Sequence, residues 1–183
     1  MKVSLVILLA LFACLGCRTS PPNRMYVLSK SPEISRVGDL GHSVEVSGFR
    51  LPGYLNRREL VCRKSDNEIS LLGGATWADS LEGMMREVFT GNLRKALGDG
   101  VLSRGEGESG VAKLSVVVER MELSGEEFVA EWVVTYRRSD RDVNVKSFSW
   151  RRQVKSGELA VMAYNESLGS LATAVAGWLI ELK

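Results

Sequence analysis

Apolar and polar residues alternate along several segments of the chain, as they do in half-buried β-strands. The clearest segment covers residues 127–137, and its apolar positions are Phe128, Ala130, Trp132, Val134 and Tyr136. Similar alternation or short apolar runs predict strands at residues 25–28, 43–51, 60–63, 68–72, 112–123 and 143–154. Near Glu119 and Arg120 the alternation changes parity, which predicts a β-bulge. Polar turns predict that residues 60–72 form a hairpin and that the last three strands form an antiparallel meander.

Two other segments repeat apolar residues with the period of an α-helix. The first covers residues 76–97, with Thr76 and Asp79 as a capping box and Gly98 as the residue that ends the helix. Its apolar positions are Trp77, Leu81, Met85, Val88 and Leu93. The second covers residues 157–182, with an apolar stripe that runs from Leu168 to Leu182. This order predicts an α+β fold, in which two long helices pack on one face of a mostly antiparallel sheet, and it suggests a duplicated strand-strand-helix unit.

The N-terminus has the three parts of a secretion signal, and it resembles a bacterial lipobox because a cysteine follows the small residue at its end. Lys2 supplies a positive charge, residues 3–15 are apolar apart from Ser4, and Gly16 precedes Cys17. The apolar run is shorter than the about 20 residues that a transmembrane helix needs. We therefore expect a cleaved signal peptide at residues 1–16, lipidation of Cys17, a tether at residues 17–24 and a single periplasmic domain at residues 25–183.

Two alternatives to this lipidation site stay open. Cys14 follows Ala13 and offers a second register, which the bulky Phe12 disfavours, and a plain secretion signal with incidental cysteines is the other interpretation. Several acyl chains on Cys17 would anchor the protein firmly, because a single chain binds membranes only marginally. Arg18, rather than an aspartate, follows the cysteine. This residue favours sorting of the lipidated protein to the periplasmic face of the outer membrane.

The composition excludes several classes of function. With 24 Lys+Arg against 22 Asp+Glu the chain is nearly neutral, so we do not expect nucleic-acid binding. His42 is the single histidine, so two-histidine metal sites are excluded, and we predict no metal and no cofactor. Cys62 has no partner for an intramolecular disulfide once Cys17 is lipidated, and we expect it to be a small buried residue of a strand. Without a G-x-S-x-G motif, the chain is not expected to be an enzyme.

The segment after the strand at 43–51 is not explained by core packing alone. It combines the turn Pro52-Gly53 with Tyr54-Leu55-Asn56-Arg57. Together with Trp77, Leu81 and Leu93, this segment resembles the family of paraquat-inducible protein C (PqiC, also called YmbA), the ABC-type transport auxiliary lipoproteins. The resemblance extends from the lipidation motif to the last helix. The chain departs from the family pattern at Arg58, where a proline is common, and at Thr76, where an arginine often precedes the tryptophan.

The resemblance implies a non-catalytic lipoprotein that works with an MCE-domain transport protein and docks or stabilises a periplasmic lipid conduit at the outer membrane. On this interpretation Pro52, Tyr54, Leu55 and Arg57 bind the partner, and Trp77, Leu81 and Leu93 are structural. The competing interpretation is that Tyr54 and Leu55 pack under the helix that contains Trp77 and that Arg57 pairs with a carboxylate.

Other functions also stay open at this point. The protein could bind lipid itself or assist the assembly of another envelope complex, and a lipoprotein hydrolase is the enzymatic alternative. Direct contact with phospholipid and homo-oligomerisation are both compatible with the resemblance.

Overall fold

The computed structural model describes residues 23–106, 110–154 and 157–183. Its elements are β1 Arg24–Tyr26, β2 Val44–Arg50, β3 Glu59–Ser65, β4 Glu68–Trp77, α1 Leu81–Leu97, β5 Val101–Leu102, β6 Ala112–Ser124, β7 Glu127–Arg137, β8 Val143–Gln153 and α2 Gly157–Glu181. The eight strands form one sheet in this part of the chain, so the predicted α+β class is confirmed. The predicted signal peptide, Cys17 and most of the tether lie outside the described residues.

The sheet is mixed, so the prediction of a mostly antiparallel sheet was wrong. β6, β7 and β8 form the predicted antiparallel meander, and β3 and β4 form the predicted hairpin. However, β2 and β3 both pair with β6 in parallel, as β1 does with β4 and β5 with β2. The alternation of side chains identifies a strand but not its direction. Because α1 lies between β2 and β6 in sequence, the chain can return to the sheet in the same direction, as parallel pairing requires.

The predicted bulge in β6 is confirmed. The register of β6 against β7 shifts between Val118 and Arg120. The extra residue moves Met121 onto the same face as Val118, and both side chains are buried. The long strand therefore keeps an apolar face along its whole length, although its sequence changes parity.

The core lies between the two helices and one face of the sheet. α1 packs on β2, where the ring centroids of Phe49 and Phe89 are 5.9 Å apart. α2 packs on the meander, where Tyr164 lies 4.8 Å from Phe128, edge to face. The hydroxyl of Tyr164 also donates a hydrogen bond to the backbone carbonyl of Met121, at 2.7 Å. The apolar residues predicted for β7 all belong to this core.

The structure corrects the start of the first helix. α1 begins at Leu81, and its N-cap is Ser80, whose hydroxyl accepts a hydrogen bond from the backbone N–H of Gly83 at 3.4 Å. Trp77, which was assigned to the helix, is instead the last residue of β4. Both conformations turn its side chain into the core, so the apolar spacing did not distinguish them. The helix ends as predicted, because Gly98 has a φ of +91° and donates its N–H to the carbonyl of Arg94.

Candidate functional site

One edge of β6 has a gap between its two parallel neighbours. β2 pairs with β6 as far as Val117, and β3 pairs with it only from Leu123 onward. Among the described residues, positions 118–122 of β6 have no strand partner on this edge, and the β6 bulge lies in the same stretch. Residues 51–58, which we call the crossing segment, connect β2 to β3 across this gap.

The crossing segment is held in tight turns by its own backbone. Leu55 donates its N–H to the carbonyl of Pro52 at 3.0 Å, and Arg57 donates to the carbonyl of Leu55 at 2.8 Å. At its end, the carbonyl of Arg58 accepts the N–H of Trp77 at 2.6 Å. The turn predicted from Pro52 is therefore present, and its backbone is bonded both internally and to β4.

A buried carboxylate fixes the crossing segment to the sheet. The hydroxyl of Tyr54 donates to Glu122 at 2.6 Å, and Arg120 donates its Nε–H to the same carboxylate at 2.8 Å. Arg63 donates to it as well, and its guanidinium lies 5.6 Å from the centre of the Tyr54 ring. Glu122 is 0% exposed. It opposes Val129 of β7, so this network lies on the face of the sheet that points away from the helices.

The network sets the charge of its members at neutral pH. Burial alone would raise the pKa of the Glu122 carboxyl, but the hydrogen bonds from Arg63, Tyr54 and Arg120 outweigh it, and the pKa lies below its usual value. Burial and the hydrogen bond to Glu122 raise the pKa of Tyr54 to about 12. Glu122 is therefore an anion and Tyr54 a neutral donor, which is the combination that makes their hydrogen bond strong.

The crossing segment also presents a polar surface to solvent. Asn56, Arg57 and Arg58 are exposed. They line a groove of about 270 Å³ together with the start of α1, where the lining residues are Ala78, Asp79, Ser80 and Leu81. Arg57 lies 3.7 Å from Glu59, and both side chains remain more than 40% exposed, so water still reaches this ion pair.

The residues that were predicted to bind a partner thus have different environments. Leu55 is 1% exposed and belongs to the core, whereas Arg57 lies at the surface. Pro52 and Tyr54 are half-buried, and Tyr54 bonds with Glu122 rather than packing under α1. Whether any of the four contacts a partner stays a prediction. The three positions expected to be structural, Trp77, Leu81 and Leu93, are all buried.

The sequence pattern does not identify Glu122, Arg63 or Arg120 as site residues. Only one signal could have pointed to the carboxylate. Glu122 is a charged residue between Met121 and Leu123, in a strand whose alternation has just changed parity. Its partner Arg120 is two residues away in the same strand, but nothing local indicates the other two, since Tyr54 is 68 residues away in sequence and Arg63 is 59 residues away.

Other reactive side chains of the described chain are in structural positions. Nε2 of His42 is 2.7 Å from the hydroxyl of Tyr136, and its Nδ1 is 3.1 Å from the carbonyl of Leu40. Cys62 lies in β3 as expected but is only half-buried, and that burial raises the pKa of its thiol. Across residues 23–106, 110–154 and 157–183, no group of three or more His, Cys, Asp or Glu side chains could hold a metal ion. Within the same residues, no helix has the length and apolarity that crossing a membrane requires.

Comparisons with known proteins agree with the resemblance seen in the sequence. The model of a family described as "ABC-type transport auxiliary lipoprotein component" matches residues 26–176. No curated protein matches the chain. Among solved structures, a crystal structure of an uncharacterized protein is similar with a TM-score of 0.70 and 17% identity, over 85% of this chain and 97% of the other. Protein XCC0632 from Xanthomonas campestris is similar with a TM-score of 0.67 and 18% identity, over 86% and 95%. At these identities the two structures establish the fold alone.

Proposed function

This chain belongs to the family of ABC-type transport auxiliary lipoprotein components, and from that membership we propose that it is the outer-membrane-anchored subunit of an MCE-type intermembrane lipid transport system. In this proposal the chain is not a catalyst. It docks or stabilises the end of the periplasmic lipid conduit, and Cys17 holds it at the periplasmic face of the outer membrane.

The observation that carries the docking role is the crossing segment. A surface loop is usually mobile, but here the bond from Tyr54 to Glu122 fixes the middle of the segment to the sheet, and the bond from Trp77 to Arg58 fixes its end. The rigid backbone presents Arg57 and Arg58 beside the groove at the start of α1. Arginine is enriched at interface hot spots, and a preorganised loop loses little conformational entropy when it binds.

The burial of each side chain refines which residues contact the partner. Leu55 and Tyr54 position the segment, because their side chains point to the core and to Glu122. Arg57, Arg58 and Asn56 are the residues that the partner contacts. Arg58 stands where relatives often have a proline, so it is the candidate for specificity between one partner and another.

Copurification tests this proposal. The lipidated protein is extracted with detergent together with the coexpressed MCE-domain protein, and binding is compared between wild type and Arg57→Ala/Arg58→Ala. We expect the double variant to retain its melting temperature and to lose about tenfold or more in affinity.

A matched control is available at the other end of β6. Arg138 lies 3.8 Å from Asp142, with exposures of 43% and 42%, close to the 41% and 45% of the pair formed by Arg57 and Glu59. Arg138→Ala should bind the MCE-domain protein as wild type does. If the Arg57/Arg58 variant binds equally well, the docking assignment is wrong.

A further inference from the structure

Two strongly exposed apolar side chains lie where the described chain begins. Met25, in β1, is 71% exposed, and Val27, just after this strand, is 60% exposed. β1 is an edge strand, because its only sheet neighbour in the described structure is β4. In β4 itself, Ile69 and Leu71 are exposed by 36% and 46%.

Met25, Ile69 and Leu71 lie on one face of the sheet. Paired residues of neighbouring strands point to the same side, and the pairs that connect these residues are Met25–Thr76, Thr76–Glu59, Leu71–Val61 and Ile69–Arg63. The β3–β4 register shifts between Glu59 and Val61, but both groups of residues point away from the helices. Met25 does so because its neighbour Tyr26 pairs with Trp77, which packs on Tyr164 of α2. Val61 and Arg63 do so because Cys62, between them, pairs with Leu123, which opposes the core residue Phe128. The apolar side chains therefore form one surface along β1 and β4, which we call the β1 edge.

The length of the tether limits what the β1 edge can face. Cys17 precedes Arg24 by seven residues, which span at most about 25 Å when fully extended. A domain of about 160 residues is about 40 Å across. If Cys17 carries the acyl chains, the tether is too short to pass around the domain, and the β1 edge stays near the membrane.

The charge of this part of the chain fits an anionic lipid surface. Residues 18–27, from the tether to just beyond β1, contain Arg18 and Arg24 and no aspartate or glutamate. Basic residues next to exposed apolar side chains are typical of proteins that lie on a membrane, since the cations attract anionic lipids and the apolar groups enter the headgroup region.

We propose that the β1 edge rests on the phospholipid surface in which Cys17 is anchored, with Met25 and Val27 in the headgroup region. This inference rests on the lipid anchoring in the proposed function. Met25 lies beside Thr76, which in turn pairs with Glu59, the ion-pair partner of Arg57. The docking surface is therefore adjacent to the bilayer, where the end of a lipid conduit would need to be held.

Spin labels test the orientation directly. Lipidated protein with the Cys62→Ser substitution is reconstituted on vesicles of phosphatidylethanolamine and phosphatidylglycerol, and single nitroxides are placed by Met25→Cys or Val27→Cys. Val145→Cys on β8 and Met162→Cys on α2 serve as controls, since these residues are 61% and 51% exposed. Collision of each label with a water-soluble nickel chelate is measured with and without vesicles, and flotation confirms that the protein is attached.

We expect vesicles to reduce nickel collisions at positions 25 and 27 by about threefold or more, as for groups that enter the interface, and to leave positions 145 and 162 unchanged. Protein that floats while labels 25 and 27 stay as accessible as the controls would overturn the orientation but not the anchoring. Labels 25 and 27 that are shielded without vesicles would show that a second protein copy covers this edge, which also overturns the proposal. If the protein does not float with the vesicles, it is not lipid-anchored, and the proposal, which rests on that anchoring, is wrong. Docking to the MCE-domain protein is tested separately by copurification.

Discussion

Replacing Glu122 by glutamine should destabilise the domain although the two side chains have nearly the same shape. Glu122→Gln removes the charge that three donors share and leaves one acceptor oxygen in place of two. Tyr54 and the two arginines then compete for this oxygen, and the new amide group adds a donor where donors are already in excess. The structure therefore predicts a loss that comes from hydrogen bonding and charge rather than from volume.

The expected size follows from the geometry. A hydrogen bond to a charged group contributes about 1.5–3 kcal/mol, and the substitution weakens three of them. Water compensates in part, because the side chains of Arg63 and Arg120 are 19% and 28% exposed. We therefore expect a loss of about 2–3 kcal/mol in the free energy of unfolding at pH 7. For a domain of this size, that loss lowers the melting temperature by about 4–12 °C.

Urea denaturation of wild type and variant at pH 7 measures this loss. The control is Glu166→Gln, since Glu166 is 40% exposed in its ion pair with Arg152 and such pairs contribute about 1 kcal/mol or less. The folded-state pKa of Glu122 lies below its usual value, so the unfolded state binds more protons once the pH falls below about 4.3. As the pH falls through the folded-state pKa, wild type loses the stability that ionised Glu122 provides. The difference in unfolding free energy between wild type and Glu122→Gln then becomes smaller. A difference below about 0.5 kcal/mol at pH 7 would show that the hydrogen bonds of the three donors do not depend on the charge of Glu122.

Three further predictions concern the same segment and the anchor. Leu55→Ala should cost about 2–5 kcal/mol in unfolding free energy, because it leaves a cavity in the core, and calorimetry that finds no loss would contradict the burial of Leu55. Between pH 10 and 12 wild type should lose more stability than Tyr54→Phe, because tyrosine ionises near about 10 in unfolded chains but at about 12 here, and a parallel denaturation series checks this. Cys17→Ser should abolish labelling with radioactive fatty acid, and loss with Cys14→Ser instead would move the lipidation site.

The parts of the fold that were predictable are those with a local cause. β7 was located to the residue because its alternation is regular and one of its faces is covered by helices. The β6 bulge was predicted because an extra residue changes the parity of the sequence itself. Gly98 was recognised as the helix end because the residue there has a positive φ, which glycine adopts without strain.

The parts that were missed depend on contacts between distant segments. The direction of β6 relative to β2 and β3 depends on where the chain returns to the sheet after α1. No residue within β2 or β3 indicates that direction. Trp77 fills the core equally well from the end of a strand or from a helix, so its spacing to Leu81 was ambiguous. The Glu122 network could not be predicted from the sequence, because Tyr54 and Glu122 come into contact only when β6 lies beside the crossing segment.

Photocrosslinking in living cells identifies the protein that lies beside the crossing segment. A photoreactive amino acid replaces Arg58 in the crossing segment, and in a parallel strain it replaces Arg141, which is also exposed but lies between β7 and β8. We expect an ultraviolet-dependent crosslink from position 58 to the MCE-domain protein and none from position 141. Crosslinks to that protein from position 141 alone, or from neither position in a folded and anchored protein, would contradict it.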